Sequence, residues 1–120
     1  MIGSTRQVAV HAFAAPADMR KSFDSLSLLV TQGLGRHVLS GDLFLFVSKN
    51  RRRAKVLYWD GTGLCVFAKR LEKGRFAAPW ERGEGKELKL TVSEIALLLE
   101  GSELVGRMPL SPAPFVFAPP

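Results

Sequence analysis

The chain has 120 residues, 47% of them hydrophobic, and a formal net charge of +6 at pH 7. That length supports one domain with a modest core and excludes two, and the apolar content excludes a disordered chain. No apolar run approaches the roughly 20 residues of a membrane-spanning helix, and "MIGSTRQVAV" lacks a secretory apolar core and cleavage site, so a cytoplasmic protein with no membrane partner is expected.

In chain order, "RQVAVHAFA" (6–14) reads as a first strand, rich in β-branched residues and carrying His11. "PADMRKSFDSLSLLVTQGLG" (16–35) reads as a helix: Pro16 suits its first turn, Asp18 complements the positive helix end, and Gly33 is the natural stop. Met19, Phe23, Leu26 and Val30 fall on one apolar face of it. Arg20 and Lys21 near that start are unfavourable unless something anionic meets them. "GDLFLFVS" (41–48), "AKVLYWD" (54–60) and "LCVFAKRL" (64–71) read as three strands. "KNRRR" is the connection between the first two and "DGTG" a tight turn between the second and third, which makes a three-stranded antiparallel meander.

Alternation in the middle strand sets Val56 and Tyr58 on one face and Lys55, Leu57 and Trp59 on the other. Both faces carry apolar groups, so this strand is expected to be central, with helices covering the sheet. "LKL" (88–90) is a candidate last strand, and "EKGRFAAPW" a turn with a candidate short one. "TVSEIALLLEG" (91–101) is the best-defined helix: Thr91 and Glu94 form a capping box, Leu90 and Ile95 a hydrophobic staple, and Gly101 ends it, with Ile95, Leu98 and Leu99 as its buried stripe. The expected fold is α+β, a small single domain over 1–106 in which an antiparallel meander is flanked by two helices. The Pro-rich end, 107–120, reads as a tail, though "PFVF" is apolar enough to dock on the domain or on a neighbouring subunit.

Signals for catalysis are weak. There is no nucleophile elbow, Walker loop or "HExxH", and "GTG" and "GEG" are better read as turns. His11 and His37 do not form a pair at metal-ligand spacing, and Cys65 is expected to be an inert thiol in an apolar strand. Asp18, Asp24, Asp42 and Asp60 could hold cations for a nuclease, but Asp18 and Asp24 leave one helix face, and Asp42 and Asp60 sit where turns favour aspartate. The expectation is a non-enzyme with no metal and no cofactor.

Charge placement is the positive signal. Residues 49–82 hold ten basic residues against three acidic ones, an excess of seven, whereas the rest holds seven against eight. All the excess positive charge lies in one central stretch, the footprint of a polyanion-binding face. Its candidate contacts are Lys49, Arg51, Arg52, Arg53, Lys55, Lys69, Arg70, Lys73 and Arg75, with Tyr58, Trp59 and Trp80 close to both clusters as candidate stacking residues. The competing reading is a charged hairpin tip that protects a sheet from edge-to-edge association.

"DMRKSFDSL" (18–26), "SGDLFLF" (40–46), "KVLYWDGTGLCVFAKRLEKGRF" (55–76) and "LTVSEIALLLEG" (90–101) resemble the small TnpB-type accessory protein, the second open reading frame product, of IS-sixty-six-type bacterial insertion sequences. The resemblance covers roughly residues 8–101, and the tail after Gly106 is expected to fall outside the shared region. The resemblance implies a role in DNA transposition beside a separate, larger transposase, and supplies no catalytic residues to carry over. The expected function is a non-catalytic accessory protein that binds DNA with low sequence specificity and assists the transposase. The alternative is a protein-interaction module that docks on the transposase, or on a second copy of the chain, without touching DNA.

Overall fold

The structure is a computed structural model that describes residues 7–83 and 85–101. Five strands form one sheet: β1 (Val10–Phe13), β2 (Leu43–Val47), β3 (Arg53–Trp59), β4 (Leu64–Arg70) and β5 (Glu87–Leu90). Their spatial order is β4-β3-β2-β1-β5. The β2-β3-β4 meander expected from the turn chemistry is present, with both of its pairings antiparallel. Beyond it the sheet is mixed, since β1 pairs parallel with β2 and antiparallel with β5. The β1–β2 connection therefore crosses one face and carries α1 (Phe23–Leu28), because parallel neighbours need a long crossover.

Period-two alternation builds a core on each face. Leu26 and Val30 bury Phe44, Phe46 and Leu57 on one side. Ile95 and Leu98 of α2 (Val92–Leu99) bury Val10, Leu45, Val47 and Val56 on the other. β3 is an interior strand with Val56 and Leu57 both buried, so the two-faced expectation holds.

α2 begins and ends where the sequence indicates. Thr91 Oγ1 accepts from Glu94 N at 3.1 Å, and the Glu94 carboxylate accepts from Thr91 N at 2.8 Å. Gly101, at φ +100°, takes the left-handed turn that stops it.

α1 is shorter than expected, and the reason lies in residues 17–21. Ala17 N donates to Val47 O at 2.9 Å, and Lys21 O accepts from Lys55 Nζ at 2.7 Å, so the segment is strapped along the sheet. The Asp18 carboxylate accepts from the Arg20 backbone N–H at 2.9 Å and grips its guanidinium at 2.7 Å, forming a local turn in place of a helix start. Arg20 thus has the acid that its position requires. Its hydrogen bonds hold the exposed Asp18 carboxyl well below the usual carboxylate range. The helix starts after Ser22, whose N–H donates to Ser25 Oγ at 3.0 Å, and it leaves Phe23 46% exposed. It ends in a π-helical turn, Leu29–Gly33, and the left-handed stop is Gly35 at φ +64° rather than Gly33.

Between β4 and β5, Phe76 to Pro79 are buried and lead into a single 3₁₀ turn, Pro79–Glu81, with no strand among the described residues there. The Pro-rich tail, 107–120, lies outside the described residues.

Candidate nucleic-acid interface

The β2–β3 connection is a tight, side-chain-braced loop. Ser48 Oγ donates to Asn50 Oδ1 at 2.8 Å and accepts from Arg53 N at 3.1 Å, while Asn50 Oδ1 also accepts from Arg52 N at 3.0 Å. Arg51 sits at the tip with φ +64°, a left-handed conformation that is costly for a residue with a Cβ. What holds it there is the second basic segment. Phe76 N donates to Arg51 O at 2.7 Å, Leu71 N to Arg52 O at 2.8 Å, and Arg51 Nε to Phe76 O at 2.8 Å. The 49–55 and 69–75 segments are therefore joined by hydrogen bonds at one end of the meander.

The cations in it differ in what they do. Arg51 and Lys55 are half-buried and tied to carbonyls of Phe76 and Lys21. Lys69 points to the opposite face, where Nζ donates to Leu99 O at 2.7 Å and so caps the negative end of α2. Lys49, Arg52, Arg53, Arg70, Lys73 and Arg75 are exposed. Arg53 and Arg70 stand directly opposite each other in the β3–β4 register. Like charges so placed destabilise a sheet. Among the described residues, Arg70 has the exposed Glu72, at 3.4 Å, to offset this. With Lys55, Ala68 and Met19 the two arginines line a groove of about 310 Å³.

Replacing Arg51 by alanine is expected to cost about 1–2 kcal/mol in a urea titration, because the hydrogen bond is lost while the left-handed backbone stays. Arg51→Gly should recover part of that, since glycine adopts this φ freely.

The three aromatic candidates are not gathered at the basic end. Trp59 closes β3 six residues from Arg53, roughly 20 Å along the strand. Tyr58 packs partly buried against the α2-side core, as does Trp80 from the 3₁₀ turn. At their end of the meander Asp60 organises the "DGTG" turn. Its Oδ1 accepts from Thr62 N at 2.9 Å and Gly63 N at 3.0 Å, which lowers the carboxyl to about 2. Cys65 borders the same turn, where desolvation raises its thiol.

A polar cluster with no signature in the sequence crosses the other side of the sheet. His11, 1% exposed, places Nε2 at 3.2 Å from Asp42 Oδ2 and Nδ1 at 3.5 Å from Glu87 Oε1, and its ring stacks on Phe44. Arg36 clasps Glu87 with Nε to Oε1 at 3.1 Å and an Nη to Oε2 at 2.6 Å. Asp42 also accepts from Ala9 N at 3.2 Å, so it is a strand-bridging residue, not only the turn residue expected. The hydrogen bonds from Arg36 lower the Glu87 carboxyl, and Glu87 in turn raises Arg36. Both imidazole nitrogens face carboxylates within the cluster, and no group of three or more His, Cys, Asp or Glu among the described residues is arranged to hold a metal ion. Among the described residues, no helix is long and apolar enough to cross a membrane.

Comparison with known proteins identifies the lineage of this fold. The family described as IS66 Orf2-like protein matches residues 8–117. The chain belongs to that family. The match runs past the 8–101 span of the resemblance and through "PFVF", so the tail up to residue 117 lies inside the shared region, not outside it as expected. The chain is also similar to two proteins of Sinorhizobium fredii. It is 37% identical over 101 residues to the uncharacterized protein y4hO, covering 84% of this chain and 86% of the relative. It is 33% identical over 101 residues to the uncharacterized protein y4jC, covering 84% and 85%. No solved structure matches. An IS66 Orf2-like chain is an insertion-sequence-associated accessory protein, and the family is an accessory one rather than a known catalytic one.

Proposed function

We propose that this IS66 Orf2-like protein is a non-catalytic DNA-binding accessory factor that holds the phosphate backbone of the element's DNA at the β2–β3 end of its sheet and so assists the transposase. The observation that carries this reading is the pairing of Arg53 with Arg70 across the strands, where both line one groove. Two facing guanidiniums raise the cost of folding unless an anion enters between them, and each offers a planar fork suited to a phosphate.

The surrounding Lys49, Arg52, Lys73 and Arg75 supply further exposed positive charge, which steers a polyanion without reading bases. Lys69 and Arg51 serve the fold first, through Leu99 and Phe76. Cytoplasmic action alongside the larger protein of the same element belongs to this proposal.

Fluorescence anisotropy of the full chain with a labelled duplex, titrated against salt, tests it. Binding to unrelated duplexes with similar affinity, and a linear fall of log K with log salt at about 0.9 per phosphate contact, is the expected result. A salt-independent affinity, or no binding, combined with capture of the transposase from nuclease-treated extract, would replace it with the protein-docking alternative.

A further inference from the structure

β4 is an edge strand: β3 pairs along one side and no described strand along the other. Its first five residues, "LCVFA", hold no charge and no proline, the devices by which edges are normally kept from pairing. Phe67 stands 45% exposed in the middle of the strand, and Ala68 beside it is exposed too. The ladder fixes which backbone groups face outward. Asp60 N donates to Gly63 O and Leu71 N to Arg52 O, so odd-numbered residues of β4 bond to β3. Leu64, Val66, Ala68 and Arg70 therefore present their N–H and C=O groups to the open side.

We propose that this edge pairs antiparallel with β4 of a second copy of the chain, in the register that sets Phe67 against the partner's Phe67. In that register Leu64 meets the partner's Arg70 and Val66 meets the partner's Ala68, so all four outward-facing residues find hydrogen-bonding counterparts. Lys69 meets the partner's Cys65. No cation opposes a cation, because the antiparallel register sets the basic end of each β4 against the uncharged end of the other. The two phenylalanines fall on a non-hydrogen-bonded site, with Cα atoms about 4.5 Å apart, where cross-strand aromatic pairs gain most. Phe67 also borders an apolar groove of about 460 Å³ between the sheet and α2, lined by Tyr58, Val92, Ala96 and Leu99, which the partner would cover.

The two-fold axis runs through the sheet, so both α1 faces lie on one side. Arg70 is three residues from the axis, which sets the two Arg70 Cα atoms roughly 20 Å apart along the strands. Two Arg53–Arg70 grooves would then open on a single face. The dimer itself does not depend on the DNA reading.

Light scattering coupled to size exclusion on the full chain tests it in the absence of nucleic acid. The wild type is expected at twice the monomer mass. Phe67→Lys, which sets like charges against each other on the axis, should be monomeric. Ala68→Pro should be monomeric as well, because it removes an outward N–H and no bond to β3. Near-UV circular dichroism and a cooperative melt confirm that each variant is folded, and if one fails to fold the other decides. In a Cys65→Ser background, Phe67→Cys should oxidise to a disulfide-linked dimer at this Cα spacing, and Lys89→Cys on the opposite edge should not. A monomeric wild type overturns the proposal and leaves the edge to the chain's own C-terminal residues or to a different protein. Persistence of the dimer in the folded variants, or failure of the Phe67→Cys cross-link, overturns it equally.

Discussion

Replacing Glu87 by alanine is expected to lower the folding free energy by about 2 kcal/mol, the largest single-site loss outside the apolar core. Glu87 accepts both hydrogen bonds of Arg36 and faces His11 Nδ1, so its removal strands the guanidinium and takes away a carboxylate beside the buried imidazole. A fully buried broken ion pair costs about 3–5 kcal/mol. The value here is lower because the Arg36 side chain is 37% exposed and water replaces part of what it loses. For a domain of this size, the melting temperature should fall by roughly 10 °C.

The same carboxylate gives the protein a predictable acid response. Its folded-state value lies below the ordinary 4.5, so it stabilises the fold fully above that pH, and the contribution is lost as pH falls from 4.5 through the lower folded value. Urea midpoints measured from pH 6 down to 3 should therefore fall less steeply in Glu87→Ala than in the wild type. An equal slope would remove Glu87 from the account of acid stability.

The double variant Arg53→Ala, Arg70→Ala is expected to bind duplex DNA about a hundredfold more weakly at low salt, taking about 1.5 kcal/mol for each charge-assisted contact. Its salt slope should drop by about two. Stability should move the other way. The two arginines oppose each other in the β3–β4 register, and among the described residues the acid paired with them is the exposed Glu72, so their removal is expected to leave the fold unchanged or up to about 1 kcal/mol more stable. Loss of affinity with no loss of stability separates a ligand-binding pair from a structural one. Anisotropy and urea titrations on the same preparation read both. Arg51→Ala should show the reverse pattern, because its guanidinium serves Phe76 O.

Much of this was legible locally. The capping box at Thr91 and Glu94, the Asx-braced turn at Asp60 and the left-handed stop at Gly101 are short-range chemistry, and all three appear where the residues indicate. The facing of Arg53 and Arg70 was within reach too. The tight 60–63 turn sets Trp59 against Leu64, and the register then runs back to Arg53 against Arg70. Alternation alone divides Lys69 from Arg70.

What was not legible depends on contacts between distant segments. The early start assigned to α1 failed because Val47 and Lys55, some thirty residues away, bind the backbone of Ala17 and Lys21, and Asp18 to Lys21 form a turn instead. The parallel placement of β1 beside β2 and the meeting of His11, Arg36, Asp42 and Glu87 have no sequence spacing that announces them. Proximity in sequence also misled for Tyr58 and Trp59. A strand carries residues a few positions apart to opposite ends of a sheet, away from the basic tip.

In the proposed function, nucleic-acid phosphate is held at the joined tip of β3 and β4. Titration of the isotope-labelled full chain with a short unlabelled duplex, followed by amide and arginine side-chain NMR shifts, tests it most directly. The largest shifts are predicted at Arg52, Arg53, Arg70, Lys73 and Arg75 and at Ala68 in the groove lining, all fading as salt is raised. Shifts confined to Tyr58, Phe67 and the exposed side of α2, or none at all on adding DNA, would contradict it.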